Sequence, residues 1–307
     1  MEIADKILAG DRKAIAELIT LVENNSPKAI KYLASIYPYT GKAWVIGITG
    51  PPGCGKSTLI AQLTKEYRKQ GKKVGVIAID PSSPFSGGAF LGDRVRMQEH
   101  SGDRDVFIRS MGSRGSLGGV ARATSEVTKI LDASGKDIVL VETLGVGQAD
   151  VEIAKTALTV VVVTMPGTGD EIQAIKAGII EIGDIFVVNK ADLPGAEQVV
   201  ANLEMMLARE GGWKPLVIKA NALQNLGIPE LVNAIQKHLE YLKESNQLAA
   251  KLKEKTRIEF MEIVKQNLTN YILEKVIAKH EFEEFVERIL KRQIDPYSAA
   301  AKLIEKL

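Results

Sequence analysis

Short runs of β-branched and aliphatic residues alternate with helical stretches between about Trp44 and Leu242. The predicted strands are Trp44 to Thr49, Val74 to Asp80, Val106 to Arg109, Ile138 to Glu142, Leu158 to Met165, Ile185 to Asn189 and Pro215 to Lys219. Several of them, such as Val160 to Val163, are apolar at every position, as strands covered by helices on both faces require. The pattern predicts an α/β fold with a doubly wound, mostly parallel sheet, in which ligands bind beyond the carboxyl ends of the strands.

Both ends of the chain have a purely helical pattern. After Asp11, a candidate N-cap, apolar residues recur at helical spacing at Ile15, Leu18, Ile19 and Val22. After about Glu244 the sequence is rich in Lys, Glu and Leu, and Asp295 with Pro296 predicts the start of a last helix. We therefore predict an N-terminal helical extension over residues 1–42, an α/β domain over 43–243 and a C-terminal helical arm over 244–307.

Charge and composition narrow the functional classes. The 40 basic and 38 acidic residues nearly balance, so the totals favour neither a nucleic-acid nor a membrane partner. With one cysteine and three scattered histidines, the sequence has no zinc-site pattern and no disulfide framework. A basic leader and an apolar run of about 18 to 20 residues are missing, from which we expect a cytoplasmic location.

A glycine-rich loop follows the first predicted strand and opens a helix. It consists of Gly50, Pro51, Pro52, Gly53, Cys54, Gly55, Lys56, Ser57 and Thr58. Loops of this pattern place backbone N–H groups around a β-phosphate at the positive end of a helix. Lys56 is expected to neutralise the β- and γ-phosphate oxygens, and Ser57 to offer its hydroxyl to Mg²⁺. The strand-to-helix context favours a phosphate-binding P-loop over a chance glycine turn.

A second motif ends the sixth predicted strand and contains Asn189, Lys190 and Asp192. A carboxylate at position 192 can accept hydrogen bonds from N1–H and the 2-amino group of guanine, whereas adenine offers an acceptor at N1 and no 2-amino group. An unpaired buried acceptor costs about 1–3 kcal/mol, so GTP is preferred over ATP by roughly tenfold or more. The stretch after the seventh strand is Asn221, Ala222 and Leu223. The backbone N–H of Ala222 is expected to reach guanine O6.

Three carboxylates between these motifs are candidates for metal binding and, with Lys56, for catalysis. They are Asp80, Asp93 and Glu142. Mg²⁺ retains several waters and uses one or two carboxylates, so not all three need contact the ion. Glu142 is the best candidate to reach it through a water, while helix capping is the alternative role for Asp80.

Three glycine-containing segments are predicted to change conformation with the bound nucleotide. The backbone N–H of Gly145 can sense a γ-phosphate, and the segment from Gly145 to Gln148 can move when that phosphate leaves. Ser82 to Gly92 and Pro166 to Glu171 share the same small-residue composition.

Six motifs in this order resemble the MeaB family of methylmalonyl-CoA mutase-associated GTPases, once described as LAO/AO transport kinases. They are Gly50 to Thr58, Asp80 to Ser83, Leu91 to Met97, Val141 to Gln148, Pro166 to Gln173 and Asn189 to Asp192. The resemblance runs along most of the chain and implies the metallochaperone-related SIMIBI class of P-loop proteins, whose Walker B residue is a glutamate, here Glu142.

The resemblance also implies an activity and partners. Family members hydrolyse GTP to GDP with Mg²⁺ and act as chaperones of adenosylcobalamin-dependent mutases, gating cofactor loading and protection. They are usually homodimers joined through C-terminal helices. By position, the switch loop that couples the nucleotide to the mutase would include Asp170, Gln173 and Lys176.

The sequence departs from the family pattern at two positions. Asn221 replaces the usual serine of the last guanine motif, and Leu144 stands where valine is commoner. Like its relatives, the chain has no glutamine after the switch glycine, since Val146 is there and Gln148 is a weak substitute. We therefore expect slow intrinsic hydrolysis that a partner accelerates.

Other functional classes remain as alternatives. A P-loop kinase or ATPase linked to amino-acid transport would ordinarily prefer ATP, against which Asp192 argues. A nickel-insertion GTPase would need Cys and His ligands. A translation or membrane-trafficking GTPase would need a basic RNA surface or a lipid signal, and the sequence has neither.

Overall fold

The computed structural model describes residues 3–80, 102–112, 117–143, 145, 148–167, 177–207, 211–272 and 281–305. The chain forms two compact units, Met1–Ala249 and Ala250–Leu307. No helix in these ranges has the length and apolar character needed to cross a bilayer.

A parallel sheet organises the first unit. Within the described residues its seven strands are β1 Trp44–Thr49, β2 Val74–Asp80, β3 Val106–Gly112, β4 Ile138–Glu142, β5 Thr159–Thr164, β6 Ile185–Val188 and β7 Leu216–Lys219. Their order is β3-β2-β4-β1-β5-β6-β7, and every neighbouring pair is parallel. The predicted doubly wound parallel architecture is therefore confirmed. Strand β3 is longer than predicted, because its pairing with β2 continues to Asp80↔Gly112.

The helices of the described residues are α1 Ile3–Leu8, α2 Arg12–Glu23, α3 Pro27–Ile36, α4 Lys56–Lys69, α5 Leu117–Ala133, α6 Gln148–Thr156, α7 Ala177–Ile182, α8 Ala196–Met206, α9 Ile228–Glu244, α10 Gln247–Ile272, α11 Glu281–Leu290 and α12 Pro296–Ile304. Short 3₁₀ turns cover Tyr37–Tyr39 and Ala222–Gln224.

Hydrophobic cores lie on both faces of the sheet, because successive side chains of a strand point to opposite faces. Val45 of β1 belongs to the core that includes α2 and α5, whereas its neighbour Ile46 belongs to the core that includes α4 and α9. In β5, Val160 and Val161 divide in the same way. The continuous apolar runs of the sequence are thus explained by burial on two faces.

The N-terminal helices pack against the edge of the sheet. The Asp11 side chain accepts a hydrogen bond from the backbone N–H of Ala14 and caps α2. The Arg12 guanidinium donates to the carbonyl of Val106 over 2.6 Å, and Arg109 of the same strand pairs with Glu23. These contacts tie α2 to the edge strand β3.

A carboxylate fixes the passage from the helical extension into β1. Asp132, at the end of α5, is buried and accepts hydrogen bonds from the backbone N–H groups of Gly41, Lys42 and Ala43 at 2.5, 3.2 and 2.9 Å. Three backbone donors neutralise much of the cost of burying this charge.

The second unit consists of the rest of α10 with α11 and α12. None of the 26 residues of α10 is buried. Asp295 caps α12 by accepting a hydrogen bond from the backbone N–H of Ser298 over 2.9 Å. Hydrogen bonding to the side chain of Ser298, and then to its backbone, lowers the pKa of the Asp295 carboxyl group. The start of the last helix is where the sequence predicts it.

A substitution at Gly47, in the middle of β1, would show how closely α6 packs on the sheet. A Cβ atom at this position would overlap the Ile153 side chain and lie 2.9 Å from the Cβ of Ala157. We expect Gly47→Ala to lower the free energy of unfolding by about 1–3 kcal/mol through overpacking. Urea denaturation measures this change. The control is Gly102→Ala, where the added Cβ has open space. Equal stability of the two variants would contradict tight packing at Gly47.

Candidate functional site

Sequence motifs far apart in the chain meet at the carboxyl edge of the sheet. The order of the strands places the ends of β4, β1, β5, β6 and β7 side by side. The glycine-rich loop follows β1, and Glu142 is the last residue of β4. Asn189 directly follows β6, and Asn221 is the second residue after β7. This is the edge at which doubly wound sheets bind their ligands.

The loop from Gly50 to Gly55 turns sharply out of β1 into α4. Gly50 has a φ of 143°, and a Cβ atom here would overlap the carbonyl of Val163 in β5. Only glycine fits this close backbone approach. The turn directs the N-terminus of α4, which begins at Lys56, toward the loop.

Lys56 is buried and lies across the loop that precedes it. Its Nζ atom donates hydrogen bonds to the carbonyl of Gly50 over 2.8 Å and to that of Pro51 over 3.2 Å. An ammonium group held inside a ring of backbone dipoles is placed to receive phosphate oxygens at the same position.

The Ser57 hydroxyl donates a hydrogen bond to Oε1 of Glu142 over 2.7 Å, and both side chains are buried. A hydroxyl and a carboxylate are hard oxygen donors, which suit Mg²⁺ when phosphate oxygens and waters complete the octahedron. The residues present therefore fit a magnesium site. The described ranges hold no group of three or more His, Cys, Asp or Glu side chains that could bind a metal ion by itself, so phosphate oxygens and waters would have to supply most of the ligands here.

The thiol of Cys54 is fully buried in the loop. Burial raises its pKa, although the charge of Lys56 opposes the shift. The thiol is therefore protonated and a poor nucleophile near neutral pH. The backbone of Cys54 contributes to the site, because its carbonyl accepts a hydrogen bond from the Asn189 side chain.

Asn189 joins three segments of the site with one buried amide. Its Nδ2 atom donates to the carbonyl of Cys54 over 2.8 Å, and its Oδ1 atom accepts from the backbone N–H of Ala222 over 3.0 Å. The next residue, Lys190, donates from Nζ to the carbonyl of Gly53 over 3.0 Å. Both ends of the Asn189 amide are thus hydrogen-bonded to protein backbone, so the side chain holds the two loops together.

Asp192 is exposed and is oriented by Asn221. The Nδ2 atom of Asn221 donates to Oδ1 of Asp192 over 2.7 Å. The Oδ1 atom of Asn221 accepts from the backbone N–H of Gln224 over 3.3 Å, which fixes the orientation of the amide. The residue that departs from the family pattern thus supplies both a donor to the carboxylate and a cap to the turn Ala222–Gln224.

The remaining predicted loop residues differ in how far they are exposed. Pro52 and Gly53 are exposed, Pro51, Gly55 and Thr58 are half-buried, and Leu223 is 82% exposed beside the buried Ala222. Gly145 has a φ of 82°, and its Cα lies against the carbonyl of Gly50, where a side chain would overlap that oxygen. The structure thus brings the switch glycine next to the P-loop.

Several predicted residues cannot be placed in the site. Asp93, Asp170, Gln173 and Lys176 lie outside the described residues, as do the segment 82–92 and the switch positions 144, 146 and 147. Asp80 ends β2 beside β4, but its side chain is not among those described.

Two features of the site were missed from the sequence. One is the donor role of Asn221, for which the exchange of serine for a longer amide was the available signal. The other is a hydrogen bond between the hydroxyls of Thr49 and Thr143, for which the sequence carries no local signal because the residues are 94 positions apart.

Comparisons with known proteins agree on one family. Residues 15–277 match the family model described as methylmalonyl Co-A mutase-associated GTPase MeaB. A Pyrococcus abyssi protein with a provisional GTPase name is 52% identical over 100% of this chain and 96% of its own. GTPase ArgK of Escherichia coli is 32% identical over 93% of this chain and 88% of its own.

Two further relatives extend the comparison. The mouse protein named methylmalonic aciduria type A homolog, mitochondrial, is 32% identical over 97% of this chain and 77% of its own. A crystal structure of an LAO/AO transport system kinase has a TM-score of 0.72 and 26% identity, covering 99% of this chain and 95% of that one.

The fold and the site define a P-loop GTP hydrolase, which binds guanine nucleotides. More specifically, the chain belongs to the MeaB family of methylmalonyl-CoA mutase-associated GTPases.

If Asn221 orients Asp192 for guanine binding, replacing Asn221 should weaken the binding of guanine nucleotides. Asn221→Asp keeps an acceptor for the N–H of Gln224 but replaces the donor facing Asp192 with a second carboxylate. We expect the Kd for GDP to rise about 5- to 100-fold, while the weak binding of ADP changes little. Isothermal titration calorimetry measures both.

The matched control for this charge change is Asn233→Asp, at an exposed position of α9. If Asn221→Asp bound GDP as tightly as this control, Asn221 would have no part in orienting Asp192.

Proposed function

We propose that this protein is a Mg²⁺-dependent GTPase that serves as a chaperone of an adenosylcobalamin-dependent acyl-CoA mutase of the methylmalonyl-CoA mutase type, gating cofactor loading and protection. The observation that carries the proposal is the match of residues 15–277 to a family whose description couples a GTPase to that mutase. The name of the mouse relative refers to methylmalonic aciduria, which agrees with a partner that acts on methylmalonyl groups.

The nucleotide would bind along the crevice between the P-loop and the turn after β7. The backbone N–H groups from Gly53 to Ser57 and the ammonium group of Lys56 would hold the β- and γ-phosphates. At the other end, the Asp192 carboxylate would accept the N1–H and 2-amino hydrogens of guanine, and the Ala222 N–H would face O6. Because Asn189 fixes the separation of these two ends, base and phosphate would be recognised together.

Ser57 and Glu142 would hold the metal ion, with Asp80 and Asp93 as further carboxylates near it. When bound, Mg²⁺ would neutralise charge on the β- and γ-phosphate oxygens. Because the Ser57 hydroxyl donates its hydrogen to the Glu142 carboxylate, the lone pairs of the hydroxyl oxygen would be left to face the metal ion. Lys56 would stabilise the charge that develops on the transferred phosphoryl group.

Hydrolysis is proposed to depend on the partner. Val146 follows the switch glycine, and an aliphatic side chain cannot orient an attacking water. Gly145 lies against the P-loop, so loss of the γ-phosphate would release the segment that follows it. The loop containing Asp170, Gln173 and Lys176 would transmit that change to the mutase.

A homodimer through the C-terminal arm is part of the proposal. Helix α10 exposes large apolar side chains, namely Leu252, Phe260, Met261, Ile263, Leu268 and Tyr271. Apolar side chains repeated along an unburied helix suit a second copy of the same helix as their partner.

The cytoplasmic location stays a prediction.

A kinase is the second candidate, since the LAO/AO structure carries that name. It would require an acceptor site and a general base near the γ-phosphate. The guanine-selective carboxylate at Asp192 and the GTPase names of the relatives favour hydrolysis.

Lys56→Ala is expected to lower GTP turnover by at least about 100-fold, because it removes a preorganised cation from the developing phosphoryl charge. Phosphate release at saturating GTP measures the effect. Lys65→Ala, at an exposed position of the same helix, is the control and should retain normal turnover. Unchanged hydrolysis by the Lys56 variant would show that the phosphate site is elsewhere.

Affinity capture tests the proposed partner. The purified protein is immobilised with a non-hydrolysable GTP analogue, with GDP or without nucleotide, and native extract is passed over it. We expect recovery of a cobalamin-dependent mutase in an amount that differs among the three conditions. Absence of any such mutase, with nucleotide-independent recovery of unrelated proteins, would contradict the chaperone role while leaving GTP hydrolysis intact.

A further inference from the structure

Two buried threonine hydroxyls meet where the P-loop and the switch segment begin. Thr49 is the last residue of β1, and Thr143 directly follows β4. The Thr143 hydroxyl donates to that of Thr49 over 2.9 Å, and the backbone N–H of Thr143 donates to the carbonyl of Ile48 over 3.0 Å. Both side chains are at most 2% exposed. The pair therefore extends the β1–β4 pairing by one step, through side chains as well as backbone.

Each threonine adjoins a residue that contacts the functional side chains of the P-loop. Thr49 precedes Gly50, whose carbonyl accepts the hydrogen bond of Lys56. Thr143 follows Glu142, whose carboxylate accepts the hydrogen bond of Ser57. One hydroxyl contact thus connects the backbone that holds the phosphate-binding lysine with the backbone that holds the candidate metal carboxylate.

The same contact precedes the switch glycine by two residues. Gly145 lies against the carbonyl of Gly50, with room for no side chain between them. Thr143 is hydrogen-bonded to β1 through both its backbone and its side chain, so the chain is held to the sheet two residues before Gly145.

We propose that Thr49 and Thr143 are positioning residues for GTP hydrolysis, whose hydroxyl contact sets the distance between Glu142 and the P-loop and anchors the switch segment. The proposal rests on hydrolysis at this site and not on the mutase partnership, so the two can fail separately. Its physical basis is that small displacements of catalytic groups reduce rates steeply, while ground-state binding is shared among many loop contacts.

Two substitutions at one position separate the hydroxyl from packing. Thr143→Val keeps the shape of the side chain and removes the hydroxyl, whereas Thr143→Ser keeps the hydroxyl and removes the methyl group. We expect Thr143→Val to lower kcat about three- to tenfold with KM for GTP changed less than twofold, as for loss of one hydrogen bond in the transition state. Thr143→Ser should stay within about twofold of the parent kcat, although the cavity it leaves should lower Tm.

The reciprocal variant Thr49→Val removes the other hydroxyl of the pair. It also replaces Thr143→Val in the experiment if that variant folds poorly. The double variant Thr49→Val/Thr143→Val should be no slower than the slower single variant, because both remove the same contact. A magnesium titration of hydrolysis should show a raised half-saturating concentration in the valine variants, since Glu142 is no longer held in place.

The control is Thr128→Val, at a buried threonine of α5 whose hydroxyl donates to the carbonyl of Thr124 over 2.7 Å. It should change Tm without changing kcat. The proposal is overturned if the valine variants hydrolyse GTP at the parent rate, if valine and serine at 143 are slowed equally, or if the two valine effects multiply in the double variant.

Discussion

The buried amide of Asn189 is the contact on which the rest of the site depends. It holds the carbonyl of Cys54 on one side and the backbone N–H of Ala222 on the other, and so joins the loops after β1 and β7 across the end of β6. A buried amide that lost either partner would leave a polar group unpaired at a cost of about 1–3 kcal/mol. The separation between the glycine-rich loop and the turn after β7 is therefore set by contacts within the protein.

The sheet order makes this contact possible. Strand β1 lies between β4 and β5, so the P-loop emerges next to Glu142 on one side and toward Asn189 on the other. The crossover from one half of the sheet to the other leaves a crevice at that point. A nucleotide in this position would meet a carboxylate and a hydroxyl at Glu142 and Ser57, a cation at Lys56 and an oriented carboxylate at Asp192. The Ser57–Glu142 and Asp192–Asn221 contacts each join two strand ends, whereas Lys56 is held by carbonyls of its own loop.

The parts that could be predicted from the sequence are those with a local signal. Apolar runs gave the strands to within a few residues, since two-sided burial requires apolar residues at every position. The cap at Asp11 and the glycine-rich loop depend on neighbours within a few residues. The end of β3 was wrong by three residues, because pairing with β2 continues through Ser110, Met111 and Gly112, where a serine and a glycine interrupt the apolar run around the buried Met111. The roles expected for Asp93, Asp170, Gln173 and Lys176 stay predictions.

By itself the sequence determined the type of sheet, the phosphate loop and the guanine motif, because each arises from a period or a spacing along the chain. Only the tertiary structure decided which side chains support them. The amide of Asn221 contacts Asp192 across 29 residues, and the hydroxyls of Thr49 and Thr143 meet across 94. Such contacts depend on which strand ends lie side by side and on the orientation of each buried group, and those are properties of the folded sheet that no short segment of the chain encodes.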